Sequence, residues 1–302
     1  MIATPGTDVD TEALLRLRHV VADARRAGSR RTAALPGPIT TKRRGRGSEP
    51  HEIRGWSHGD DVRHIDRNTT ARTGVPHVRT FRDEREQTTL LVADFRPPML
   101  FGTRRAFRSV AAAEILALAG WRAVGDGARV ALLAIGAGEP EFVRAAPGDR
   151  AMTAVVGGLK RAHAAALAGR RDAAVPPLDE ALRLAARSLP RGGAIVLASG
   201  LDDPGAGFDD AVGHARRGID LAVAFVSDAF ERDAPPGAYP FLTDGGVRGV
   251  HRGGGAATAA PGRDAAWLDR LGRLGVAAAV FPAERPPEAQ MRTIGELHGD
   301  GR

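Results

Sequence analysis

The chain has 302 residues, no cysteine and a formal net charge of +7. That length accommodates one large α/β domain with an appendage, or two modest domains. The lack of cysteine excludes disulfides, thiolate zinc sites and cysteine nucleophiles, and it suits a reducing compartment, in the simplest case the cytoplasm.

The positive charge is almost all arginine, with Lys42 and Lys160 as the lysines, beside abundant Ala and Gly. Such usage follows the codon bias of a GC-rich coding sequence, so it does not by itself point to nucleic acid. The start at Met1 lacks a basic stretch followed by an apolar run and a cleavage site, so secretion is not expected. Val110 to Val124, the longest apolar stretch, contains Glu114 and Arg122 and repeats at helical spacing, which predicts a core helix instead of a membrane span.

In chain order, Thr7-Asp8-Val9-Asp10 has capping-box spacing, and Leu14, Leu17, Val20, Val21 and Ala24 predict an amphipathic helix that Gly28 stops. Gly28 to Gly47, with the run Lys42-Arg43-Arg44-Gly45-Arg46, reads as an exposed loop. Val75 to Phe81 and Thr88 to Asp94 predict two strands joined as a hairpin through Arg82-Asp83-Glu84-Arg85. An alternation follows: a helix through Phe107, Val110, Ala111, Ile115 and Leu118, a strand at Arg129 to Ile135, and a helix through Leu178, Leu182 and Ala185. Strands at Ala194 to Ser199 and Asp220 to Val226 then enclose a helix at Phe208 to Arg217. This is the pattern of a mostly parallel sheet covered on both faces. Arg161 to Pro177 reads as a helix end and surface loop, Gly245 to Gly255 as hairpin-like, and Ala266 to Leu274 as a last helix. Val276 to Phe281 reads as a closing edge strand.

The densest chemistry lies before and at the end of the strand that closes with Asp94. The run Gly59-Asp60-Asp61-Val62-Arg63-His64-Ile65-Asp66 is followed by Ala71-Arg72, and Phe81 to Glu86 lead into the strand. These features resemble the bacterial von Willebrand factor A-like family catalogued as domain of unknown function 58. The resemblance extends over about residues 30 to 245 and includes Phe101-Gly102 and the Ser227 to Leu242 region. One departure is Arg67, where the family pattern usually has tryptophan.

The resemblance implies a von Willebrand A fold, a Rossmann-like sheet flanked by helices, with a small β-containing insertion near the N-terminus. It also implies partners, a MoxR-type AAA+ ATPase, beside which members are often encoded, and other von Willebrand A-type proteins, and it implies no established reaction or cofactor. Von Willebrand A domains hold Mg²⁺ at a metal-ion-dependent adhesion site with an Asp-x-Ser-x-Ser loop. Here Asp94 matches the aspartate, while Arg96 and Pro98 replace the serines and Gly200 stands where a later aspartate belongs. No threonine occurs in Gly169 to Ala173, although Asp172 lies near. Neither an arginine nor a proline side chain offers Mg²⁺ an oxygen. The expectation is a degenerate site without metal, with Arg96 either replacing the cation beside Asp94 or pointing into solvent.

Other constellations have plainer readings. Asp60, Asp61, Arg63, Asp66 and Arg72 are expected to form a charged network pinning the insertion, or a docking surface. His51, His58, His64 and His77, with nearby Glu52, Asp60 and Asp66, would be the set for a metal-dependent hydrolase over residues 51–77, and Lys42 to Arg46 would be the site for nucleic acid. Both are alternatives to the main reading. Asp202-Asp203 and Asp209-Asp210 read as solvated acidic pairs. The expected organisation is an N-terminal helix (1–29), a charged β segment (30–86), a von Willebrand A-like core (87–232) and a C-terminal extension (233–302). The expected function is a non-enzymatic protein-interaction module.

Overall fold

Seven consecutive buried residues, Thr88 to Asp94, form the strand around which most of the chain is assembled. The computed structural model describes residues 6–33, 50–57, 60, 62–81, 87–136, 138–169, 175–242, 248–253 and 262–297. In chain order the elements are α1 (Thr11–Ala33), β1 (Pro50–Gly55), α2 (Arg67–Thr73), β2 (His77–Phe81), β3 (Thr88–Asp94), α3 (Arg108–Gly125), β4 (Arg129–Ile135), β5 (Glu141–Pro147), α4 (Gly148–Ala168) and α5 (Leu178–Arg187). They continue with β6 (Ala194–Ser199), α6 (Phe208–Ala215), β7 (Asp220–Ser227), α7 (Ala229–Arg232), β8 (Gly237–Leu242), β9 (Arg248–Gly253), α8 (Arg263–Arg273), β10 (Ala277–Pro282) and α9 (Met291–Leu297). Two units result, one of Met1–Ser29 with Gln87–Arg302 and one of Arg30–Glu86.

The larger unit is a mixed α/β fold with a central, mostly parallel sheet in the order β10-β7-β6-β3-β4-β5. Only β5 runs antiparallel, against β4. Side chains alternate across β3: Leu91 and Ala93 enter a core shared with α1, α3, α4 and α9, while Leu90 and Val92 enter a second core under α5, α6 and α8. All four are fully buried, and each leucine contributes roughly 1.5–3 kcal/mol of hydrophobic stabilisation. Because β3 lies between β4 and β6, the sheet's winding reverses beside it, and its carboxyl end opens on the crevice where such sheets bind ligands.

Several expectations change. The hairpin of Val75–Phe81 with Thr88–Asp94 does not form: β2 pairs antiparallel with β1 in a separate two-stranded sheet. The reason is that β3 has a parallel neighbour on each side, which leaves no ladder for a hairpin partner. Gly28 does not stop α1, which runs on to Ala33; a glycine inside a helix costs only about 1 kcal/mol. The cap is Asp10, whose Oδ1 accepts from the Glu12 and Ala13 amides at 2.9 and 3.2 Å, not Thr7. Residues 161–168 continue α4, and β10 takes the sheet edge beside β7.

The smaller unit is built around β1 and β2, with Ile65 bridging to Val78. Asp66 caps α2, its Oδ1 accepting from the Thr69 amide at 2.6 Å, and Gly74 ends the helix at φ 72°. A left-handed residue there suits glycine, which has no Cβ to clash.

One polar chain lies inside the larger core. Ser109 of α3 meets His163 Nε2 of α4 at 3.0 Å, Phe95 packs edge-on at 5.4 Å, and both polar side chains are fully buried. His163 Nδ1 lies 3.7 Å from Asp8, which also pairs with Lys160 at 3.5 Å. Burial pushes the His163 pKa below the ordinary value of 6.5; Asp8 opposes this and Lys160 adds to it.

The unfolded chain therefore takes up a proton that the folded chain refuses, so this contribution to stability is present above about pH 6.5 and is lost as pH falls below it. Thermal melts of the wild type should fall in midpoint between about pH 7 and about pH 5, and His163→Gln should flatten that decline. Parallel pH profiles for the two proteins would show that His163 is not the titrating group.

Candidate functional site

The site is assembled where β3 and β6 end. The register sets Ala93 beside Ala198, so Asp94 and Ser199 end neighbouring strands. The residue before a proline is driven out of the helical region, and Arg96, which precedes Pro97, is extended at φ −60° and ψ 157°. This turns its guanidinium back onto Asp94.

The result is a bidentate pair, Nε to Oδ1 at 2.9 Å and Nη2 to Oδ2 at 2.9 Å, with Asp94 fully buried and Arg96 only 3% exposed. The Arg96 amide donates to Oδ1 at 3.1 Å and the Ser199 hydroxyl to Oδ2 at 2.6 Å. Four donors thus fill the roughly four acceptor positions that a carboxylate offers. The guanidinium is equally occupied, donating to the carbonyl oxygens of Asp202 at 2.7 Å and Asp203 at 2.9 Å. Burial alone would lower the Arg96 pKa, but the hydrogen bonds and charge of Asp94, with Asp202 and Asp203, outweigh it and raise the value, so the group stays charged.

Delivering those carbonyls requires an unusual loop. Leu201 and Asp203 have φ of 53° and 41°, a region that costs about 1–3 kcal/mol for residues with a Cβ. Ser199 Oγ, which donates to Asp94, accepts from the Leu201 amide at 2.9 Å and steadies the loop from below. A Cβ on Gly200 would sit 2.6 Å from Arg108 Nη1 and Asp202 Oδ2, so no larger residue fits without rearrangement.

A second layer of charge encloses this pair. Arg108, at the start of α3, is 3% exposed and pairs with Glu231 at 2.9 Å. Its approach to Asp202 Oδ2, 3.0 Å, is an ion pair without hydrogen-bond alignment, and its Nη2 donates to the Pro98 carbonyl. Arg263 of α8 adds contacts to Asp202 at 2.9 Å and Glu231 at 3.2 Å. Asp228 caps α7 and accepts from the Thr103 amide at 3.0 Å, joining the end of β7 to the loop before α3.

Asp94, Arg96, Pro98 and Gly200 are therefore brought together, with Arg96 folded inward. Asp172 lies outside the described residues. The donor set does not fit Mg²⁺: the one carboxylate of the group is saturated by protein donors, and a guanidinium stands against it. Ser199, Arg108, Glu231 and Arg263 were not read from sequence as parts of this site. Only Ser199 carried a signal, as a hydroxyl closing a buried strand beside Asp94's strand.

The charged signature lies in the other unit. Asp60 holds Arg54 bidentately at 2.8 and 2.6 Å and accepts from the Ser57 amide at 2.8 Å. Asp66 is committed to the cap of α2; Arg63 and Arg72 are exposed, and Asp61 falls outside the described residues. In the proposed histidine set, His77 Nδ1 lies 2.7 Å from the Val75 carbonyl and 3.1 Å from Thr73 Oγ1. Among the described residues no three His, Asp or Glu side chains converge on a common point. The His51 side chain, His58 and Lys42 to Arg46 lie outside the described residues. Ser109, His163 and Asp8 have the order of a hydrolytic triad, but the serine and histidine are sealed in the core.

Comparison with known proteins adds three findings. Uncharacterized proteins Mb1516 of Mycobacterium bovis and Rv1480 of Mycobacterium tuberculosis are each 46% identical over 69 residues, 23% of this chain. The matched stretch spans 19% of those relatives' own length. The crystal structure of an aerotolerance-related membrane protein from Bacteroides fragilis, carrying multiple mutations to serines, superposes with a TM-score of 0.47 at 16% identity, covering 70% of this chain and 98% of that one. Among the described residues, no helix is long and apolar enough to cross a membrane. The model of the family described as protein of unknown function DUF58 matches residues 52–244, so the chain belongs to that family.

Proposed function

We propose that this chain is a non-enzymatic protein-interaction module of von Willebrand A type. In this reading it acts in the cytoplasm with a MoxR-type AAA+ ATPase in the assembly or remodelling of a protein complex. The observation that carries the proposal is the saturated carboxylate of Asp94, paired with Arg96 at the point where a von Willebrand A domain would hold its cation. An adhesion site works by lending its metal to a partner's carboxylate. With the cation replaced by a tethered guanidinium that commits four of its five donors, recognition falls instead to the surface around the crest.

That surface has an aromatic row suited to the task. Phe101, 39% exposed, meets Phe230 edge-on at 6.3 Å, and Phe230 meets Tyr239 at 4.7 Å. Aromatic side chains beside polar rims are the usual anchors of protein interfaces. The ATPase enters through the family resemblance, and the crest's mutually committed charges favour docking over proton transfer.

Binding of the purified chain to the MoxR-type ATPase encoded beside it, measured without nucleotide, should be unchanged by added Mg²⁺ or by chelator. Phe101→Ala should weaken it by about tenfold, near 1.4 kcal/mol, and Arg63→Ala should also reduce it. Absence of a complex would remove the partner, and loss of the complex on chelation would remove the metal-free mode.

The ion pair itself is testable by urea unfolding. Removing one partner of a buried pair costs about 3–5 kcal/mol, whereas replacing both with apolar groups costs far less. Arg96→Met should therefore destabilise by that amount, and Asp94→Leu with Arg96→Met should recover much of the loss. Additive single effects would mean that the two side chains are not energetically coupled.

A further inference from the structure

The two edges of the central sheet are built differently. β5 is irregular, its register with β4 shifting between Val130 and Leu132, and it carries Glu141, an exposed Arg144 and a terminal Pro147. Bulges, charges and proline are the devices by which edge strands avoid pairing with other chains. β10 has neither a bulge nor a charge, although like β5 it ends on a proline. Its sequence is Ala-Ala-Ala-Val-Phe-Pro, with proline only at the last position, and its register with β7 is unbroken from Ala277 to Pro282. Among the described residues, nothing bonds to Ala278 or Val280 on the edge of β10 that faces away from β7, while at its end the Pro282 carbonyl accepts from the Arg285 amide at 3.0 Å.

The surroundings of β10 leave room for a strand. Ala279 and Phe281 face the core that includes α9, while Ala278 and Val280 face the core that includes α8, so a helix covers each face and the edge between them stays open. Ala277 is exposed, and Ala278 to Val280 are half-buried. The small side chains impose little steric resistance to an approaching backbone.

We infer that β10 is a self-association edge, through which two copies of this chain pair antiparallel about a two-fold axis and continue the sheet from one molecule into the other. An axis perpendicular to the sheet through Ala279 sets Ala278 across from Val280 of the second copy and Ala277 across from Phe281. Like faces then meet like faces, as an isologous contact requires. Charged side chains on the flanking helices pair within each copy: Arg270 with Asp209 at 2.8 Å, Arg292 with Glu296 at 3.3 Å, and Arg273 with Asp269. Nothing on the strand repels its own copy.

The area argues for a weak, reversible dimer. A six-residue strand is about 20 Å long, and the sheet with a helix on each face is about 30 Å thick. The footprint is thus about 600 Å² per copy, at the lower limit of the area that specific complexes bury.

Sedimentation of the full chain from about 1 to about 200 µM tests this. A reversible monomer–dimer equilibrium in the micromolar range is expected, with slower amide exchange at Ala278 and Val280 at the higher concentrations. Ala277→Lys, placed on an exposed position so that folding is preserved, should weaken the dimer at least tenfold; Phe142→Lys on the β5 edge should leave it intact. A chain that stays monomeric over the whole range overturns the inference. So does a dimer lost in Phe142→Lys but kept in Ala277→Lys, or one without added protection at β10.

Discussion

A permanently charged guanidinium sealed against a carboxylate at the tip of a buried strand constrains the larger unit more than any other polar contact. Two buried ions are tolerable only when their mutual attraction is supplemented by hydrogen bonds to every remaining donor and acceptor. Asp94 meets this with four donors, and Arg96 commits four of its five by adding the carbonyls of Asp202 and Asp203. The loop after β6 must therefore turn inward, and Leu201 and Asp203 adopt left-handed backbone to do so. The strain of that loop is the counterpart of the ion pair: the guanidinium binds both carbonyls, while Ser199 and Arg263 hold the loop on either side.

The same logic extends outward. Gly200 has no space for a side chain because Arg108 lies against it, and Arg108 is fixed by Glu231 and the Pro98 carbonyl. Arg263 joins both acids of that layer from α8, so a helix far along the chain is tied to the crest. Because each charge has its partner inside the group, the crest presents shape and aromatic surface more than free charge. The smaller unit uses its charges more locally. Asp60 orders the turn after β1 by holding Arg54, and Asp66 starts α2, so two of the signature carboxylates are explained by turn and cap geometry.

The central sheet was legible because its strands are short apolar runs at regular intervals, and β3, β4, β6 and β7 fall where Val, Leu, Ile and Ala cluster. β5 was not read, and of α4 only the end, after Arg161, was. In β5 the apolar residues alternate with Glu141 and Arg144 in a strand too irregular to stand out, and α4 is so rich in Ala and Gly that its buried face shows little contrast with its exposed one. The pairing of β2 was misread because adjacency in sequence favours hairpins, whereas the pairing is decided by how many neighbours β3 already has. At the site, the four crest positions were visible as departures from a motif. The arginines and acids that surround them come from α3, the loop after β6, α7 and α8, and only the folded chain brings those positions together.

Fixing the crest with an internal cation has a consequence for recognition. A bound metal can be exchanged, removed or shared, and its ligand geometry leaves a position for a partner's oxygen. A guanidinium on a two-residue tether has no such position: its donors are directed in one plane, and four of them are committed to Asp94 and the 202–203 carbonyls. On the proposed reading, affinity for a partner comes from burial of apolar surface and from main-chain pairing, both insensitive to divalent ions. The molecule offers each of these at a different place, the Phe101–Phe230–Tyr239 row beside the crest and the uncharged edge of β10. Since β10 is the outermost strand on one side, self-pairing there would leave the crest open, and two copies would present two aromatic rows to one assembly. If both copies engage one assembly, binding gains by effective concentration without any new contact.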